Sequence, residues 1–264
     1  MLPKIGSKSN LLADETLMIS VIIGTIIAAS ITLGMCGINA ATAQKEPSIN
    51  ATSLFDRGQM VLPNTVKHLV ILIPNEGHHG PGEEDEARFI AQPFVPQNAL
   101  VGPGTQVVWY NGDVGHEHNI VVSDDGGNQI FQTGESTELM ASRPVIFNNT
   151  GNFQYADTVE YEEGFVMAGN VTVVNQNNGA ASITASLYDT VGALMVPSPF
   201  VQNVVESMRS AGYGIDSMHT FTDLRGGQED TGDEQVLVVW TATGKSLEEV
   251  ALRLGEVSEG LPYE

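Results

Sequence analysis

The amino-acid sequence predicts a mainly β protein: an antiparallel β-sandwich over residues 61–175, a small α+β domain over 183–264, and an apolar helix within an export segment at 1–43. Three observations predict this. Short β-branched and aromatic runs recur through the middle of the chain with Gly, Asp, Asn and Pro between them, the pattern of strands and turns. Beyond residue 182, helix-type periodicity alternates with strand-type runs. Before residue 43, one uncharged apolar stretch dominates.

At the N-terminus, Lys4 and Lys8 precede the uncharged run Leu17 to Cys36, which is followed by small residues and Ala41-Thr42-Ala43. A basic start, an apolar centre and an A-x-A pattern make an export signal. The run also matches the roughly 20 residues that span a bilayer. Two fates stay open: cleavage after Ala43, or retention as a membrane anchor. Either fate puts the rest of the chain outside the cytoplasm, secreted or anchored. Met35 is a poor residue to precede a lipidated cysteine, which disfavours a lipoprotein reading through Cys36. Residues 44–60 are polar and read as a linker.

Strands are expected in "VKHLVILIP", "NALVGPGTQVVWYNG", "HNIVVSDDGG", "NQIFQTGE", "PVIFNNTGNFQYAD" and "GNVTVVNQ", all within 61–175. The polar residues 176–182 form a second linker. "SITASLYDTVGALMV" offers another strand. Ser198 then stands as a helix cap with Pro199 at the first position, the helix running to a stop at Gly212. "IDSMHTFTD" and "EQVLVVWTATG" read as two strands. Ser246, with Glu249 three residues on, has the spacing of a capping box for a last helix. The order β-α-β-β-α indicates a two-layer α+β unit.

Charge narrows the partners. Eleven basic residues against 32 acidic ones give a net charge of −21, so nucleic acid and anionic surfaces are repelled. Membrane contact is expected only through the N-terminal helix if it stays uncleaved. The α+β domain offers a possible protein-partner surface. The sequence contains no Gly-x-Ser-x-Gly, His-Glu-x-x-His or phosphate loop, and the chain reads as a non-enzyme. Cys36 is the only cysteine, so nothing downstream has a thiolate or a disulfide.

Two ordered motifs carry a resemblance. "FVPQNALVGPGTQVVWYNGDVGHEHNIVV" and "GNFQYADTVEYEEGFVMAGNVTVV" resemble the opening and closing motifs of the cupredoxins, the plastocyanin-like copper proteins. The resemblance implies a Greek-key β-sandwich. It also implies a copper ion held by a histidine of the first motif and by Cys, His and Met of the second. Carried across, His118 takes the first histidine position and Met167 the methionine position. The cysteine position falls on Ala156, and "ADTVEYEEGFVM" contains no histidine. A blue copper site needs a short thiolate–copper bond, so the resemblance extends to the fold and not to a blue electron carrier.

Five of the six histidines lie in the middle domain: His68, His78, His79, His116 and His118. In extended backbone, residues two apart project to one face, which would bring His116 and His118 together. His78 and His79 sit on a Gly-rich acidic loop. Three or four imidazoles suit copper(II) or zinc(II), with Glu83, Glu117 or Glu162 as a carboxylate ligand. The expected metal set is therefore His118, His116, His78, His79 and Met167, with copper the first candidate and zinc possible. His68 reads as a strand residue. The expected role is copper binding or delivery, or non-blue redox. The alternatives are a metal-free cupredoxin acting as a surface interaction module and, last, an electron carrier.

Overall fold

Strands with alternating polar and apolar residues, and strands apolar throughout, sort into two different sheets. A computed structural model describes residues 59–78, 89–159, 165–175, 188–222 and 234–262. The export segment, both linkers except Gln59–Met60, and His79, Glu83 and Glu162 lie outside the described residues. In chain order the strands are β1 (Gln59–Val61), β2 (His68–Ile73), β3 (Asn98–Val101), β4 (Thr105–Asn111), β5 (Ile120–Ser123), β6 (Gln129–Gln132), β7 (Val145–Phe147), β8 (Gly151–Asp157), β9 (Ala168–Val173), β10 (Thr190–Pro197), β11 (Gly214–Thr222) and β12 (Glu234–Ala242). The helices are α1 (Val201–Ser210) and α2 (Leu247–Ser258).

One sheet has the order β1-β3-β9-β8-β5-β6 and the other β11-β12-β10-β2-β4-β7. In the first, β3, β5 and β9 alternate buried and half-buried residues, as strands with one covered face do. In the second, every residue of β10 is buried, and so are Leu69 to Ile73 of β2. Such strands need cover on both sides, and β4 shows what supplies it. Trp109 and Tyr110 are successive residues and therefore point to opposite faces. Trp109 packs edge-on to Tyr155 of β8, ring centroids 5.2 Å apart. Tyr110 donates its hydroxyl to Ser258 Oγ at the end of α2, 2.9 Å away. The second sheet is thus a middle layer, with the first sheet on one side and a helix on the other. Burying each of these aromatics contributes on the order of 2–3 kcal/mol.

The pairing is mixed rather than antiparallel. β1–β3, β3–β9, β2–β4 and β2–β10 run parallel; for β2, β4 and β10 this fits the rule that doubly covered, continuously apolar strands favour parallel pairing. The C-terminal elements follow the expected β-α-β-β-α order, but their strands do not form a sheet of their own. β10 pairs with β2 through Thr190–His68 and Val191–Leu69, so the middle sheet runs unbroken into the C-terminal part. The all-buried β10 explains this, because a two-layer unit would leave one of its faces wet.

Helix ends show which local signals decide. Ser246 caps α2, and the reciprocal Ser246–Glu249 bonds of a capping box are both present. Ser198 does not cap α1; it opens a 3-10 turn, Ser198–Phe200, that leads into the helix. Gly212 ends α1 with φ +83, a left-handed stop that glycine adopts without strain. Among the described residues no helix is long and apolar enough to cross a membrane.

Candidate metal centre

β2 and β4 are parallel neighbours in register from His68–Gln106 to Ile73–Asn111, so both strands stop at the same level. The segments that leave them, 74–78 and 112–118, are consequently side by side. Asn111, fully buried, ties the second one down. Its Nδ2 donates to the carbonyls of His116 at 2.8 Å and Ser136 at 3.1 Å, while its Oδ1 accepts from Asp113 N at 2.9 Å. Across the gap, Val114 N donates to Asn75 Oδ1 at 3.0 Å. Gly115, at φ +88, makes the turn.

The centre of this cluster is Asp113, a residue that carries no flag in the sequence. Its Oδ1 accepts from Glu76 N at 2.9 Å. Its Oδ2 accepts from His78 Nδ1 at 2.7 Å and from His118 Nε2 at 3.0 Å. His116 Nδ1 stands 3.6 Å from Oδ1, and the His78 and His116 rings lie 3.9 Å apart at 47°. Three expected histidines therefore converge, but on a carboxylate rather than on one another.

His118 is held at both ends. Its Nδ1 faces Asp157 Oδ2 at 2.5 Å, and its Nε2 faces Asp113 Oδ2 at 3.0 Å. Carboxylates only accept, so both nitrogens donate and the ring is a charged imidazolium. Burial opposes that charge, yet the hydrogen bonds and attraction of Asp113 and Asp157 outweigh it and push the His118 pKa up to about 9. The same bonds, with those from His78, overcome burial at Asp113 and hold its carboxyl well below the usual carboxylate range. Asp157 is fixed in turn, its Oδ1 accepting from Asn119 N at 2.9 Å and Val159 N at 3.1 Å.

The register of β8 changes the meaning of the second motif. Tyr155 and Asp157 are two apart and share the inward face, whereas Ala156 points to the other side. The side chain that stands against His118 is Asp157, not Ala156. A carboxylate fills the place beside the first histidine. Met167 is buried, and its carbonyl accepts from Asp157 N at 3.0 Å. Glu117 is exposed. His68, in β2, shares a 3.0 Å hydrogen bond with Thr190 Oγ1 across the β2–β10 pair.

Among the described residues, one group of three or more His, Cys, Asp or Glu has donor atoms close enough for a metal ion: His78, Asp113 and His116, all within 4.8 Å of one another. The donor chemistry fits. Zinc–nitrogen and zinc–oxygen bonds of about 2.0–2.1 Å at tetrahedral angles place donors about 3.3 Å apart; here His78 Nδ1 is 2.7 Å from Asp113 Oδ2 and His116 Nδ1 is 3.6 Å from Asp113 Oδ1. Two imidazoles and a carboxylate with one half-exposed member also suit copper(II).

No family model matches the chain, and no curated protein matches it. Solved structures do. A purple cupredoxin from Nitrosopumilus maritimus is 24% identical over 40% of this chain and 99% of its own, with a TM-score of 0.30. Reduced rusticyanin is 14% identical over 49% of this chain and 90% of its own, TM-score 0.32. The copper-containing nitrite reductase of Thermus scotoductus is 17% identical over 45% of this chain and 28% of its own, TM-score 0.30.

Proposed function

We propose that this chain is an extracytoplasmic, cupredoxin-like protein that binds one copper(II) or zinc(II) ion through His78, Asp113 and His116. Its role is metal binding or delivery, or a non-blue redox step, rather than catalysis. The observation that carries this reading is the convergence of two imidazole nitrogens and a carboxylate oxygen within 4.8 Å at the ends of β2 and β4. His118 is not counted as a ligand, because both of its nitrogens are engaged by aspartates. When bound, the ion would supply Lewis acidity or, for copper, one-electron chemistry. The chain supplies two neutral nitrogen donors, one anionic oxygen donor and a partly open side at His116, whose side chain is 33% exposed.

A second reading is a metal-free interaction module in which the cluster is a buried ion-pair knot. It is favoured by one observation: the Asp113 carboxylate already accepts from Glu76, His78 and His118. Metal content of the purified full-length chain separates the two. After reconstitution with copper or zinc and exhaustive dialysis, the first reading expects one ion per chain, lost in His78→Ala/His116→Ala. No retained ion, or equal retention in the double variant, leaves the knot.

A further inference from the structure

We propose that His118 and Asp157 form a positioning pair that aims Asp113 at the metal ion, His118 binding the carboxylate and not the metal. This deepens the reading above and rests on it. A nitrogen that ligates a metal has no proton left to donate, so the His78 Nδ1 bond to Asp113 Oδ2 is given up on binding. Two contacts then hold the carboxylate: Glu76 N on Oδ1 and His118 Nε2 on Oδ2.

His118 is built to serve as such a contact. It is fully buried, and its backbone is fixed by exchange with Ser136, His118 N to Ser136 O at 3.1 Å and Ser136 N to His118 O at 2.8 Å. Its far nitrogen is locked onto Asp157, itself held by two backbone N–H groups. The line Asp157–His118–Asp113 thus runs from the end of β8 to the donor group and fixes both the ring's orientation and its double-donor state. Outer partners of this kind orient ligating carboxylates, and their loss costs about 10- to 100-fold in metal affinity.

The test loads the purified full-length chain with copper(II) and reads two quantities. One is the dissociation constant by chelator competition; the other is the number of imidazoles coupled to copper by pulsed electron paramagnetic resonance. The variants are His118→Gln, Asp157→Asn and His116→Ala. The expected result is two coupled imidazoles in the wild type, His118→Gln and Asp157→Asn, and one in His116→Ala. The first two variants bind about 10- to 100-fold more weakly than wild type, and Asp157→Asn shifts the copper hyperfine splitting. Loss of one coupled imidazole in His118→Gln overturns the proposal, because His118 would then be a ligand. Unchanged affinity and hyperfine splitting in Asp157→Asn overturn it too, and that nearly isosteric variant decides alone if His118→Gln fails to fold. If wild type binds no copper, or His116→Ala keeps two imidazoles, the three-donor reading itself falls.

Discussion

Replacing Asp113 by Asn tests the ion-pair cluster without a metal. The substitution keeps the side chain's shape and removes the charge that His118 and His78 face at 3.0 and 2.7 Å. The His118 pKa is about 9 in the folded chain against about 6.5 for a free imidazole. At about 1.4 kcal/mol per tenfold, the two aspartates together hold the imidazolium with about 3 kcal/mol. Because the folded value is raised, that stability is fully present below about pH 6.5 and is lost as pH climbs through 9. The depressed Asp113 value reports the same attraction from the other partner and is not added. Asp157 keeps a share, so Asp113→Asn removes about half. The assay is urea unfolding of chelator-treated protein at pH 6 and pH 10. Wild type should lose about 3 kcal/mol more than a chain without the cluster, and Asp113→Asn about 1–2 kcal/mol. If wild type and variant fall in parallel between the two pH values, the imidazolium argument is wrong.

Other expectations follow from the packing. Gly169→Ala would place a methyl 2.2 Å from Gln97 O and 2.4 Å from the Tyr155 hydroxyl, so it should lower stability by about 1–3 kcal/mol in thermal unfolding; a neutral result would contradict this close approach of Tyr155 to the Gly169 backbone. Tyr110→Phe and Ser258→Ala each remove the buried bond between middle sheet and α2, and should each cost about 1 kcal/mol. The double variant should cost less than their sum, and strict additivity would mean that the bond carries no coupling. Ser246→Ala should cost about 1 kcal/mol through loss of the α2 cap, checked by urea unfolding.

Strands were legible because a period of two and a doubly buried run each leave a direct trace in residue order, as "VTVV" and "HLVILI" do. Sheet membership was not. That β10 joins β2 depends on a parallel pairing across more than a hundred residues, and no turn residue encodes it. The histidines were legible as residues, but their destination was not. His116 and His118 do not share a strand face: His116 lies in the loop and His118 is the first to turn inward. Asp113 and Asp157 went unnoticed because isolated aspartates after strands look like turn formers. Asp157 shows its inward aim only once Tyr155 is known to pack on Trp109.

The charge of this cluster explains why one geometry supports two readings. Asp113 and Asp157 bring two negative charges into a region where their side chains are 0 and 1% exposed. The His118 imidazolium compensates one of them. The other is expensive to leave alone in a poorly solvated place, and the groups nearest to it are His78 and His116. A proton on either ring would supply the missing positive charge, and so would a divalent ion held between them. Proton and metal therefore compete for the same ring nitrogens, and metal binding should release protons as pH-dependent sites do. The ion-pair knot and the metal centre differ only in which cation answers that charge.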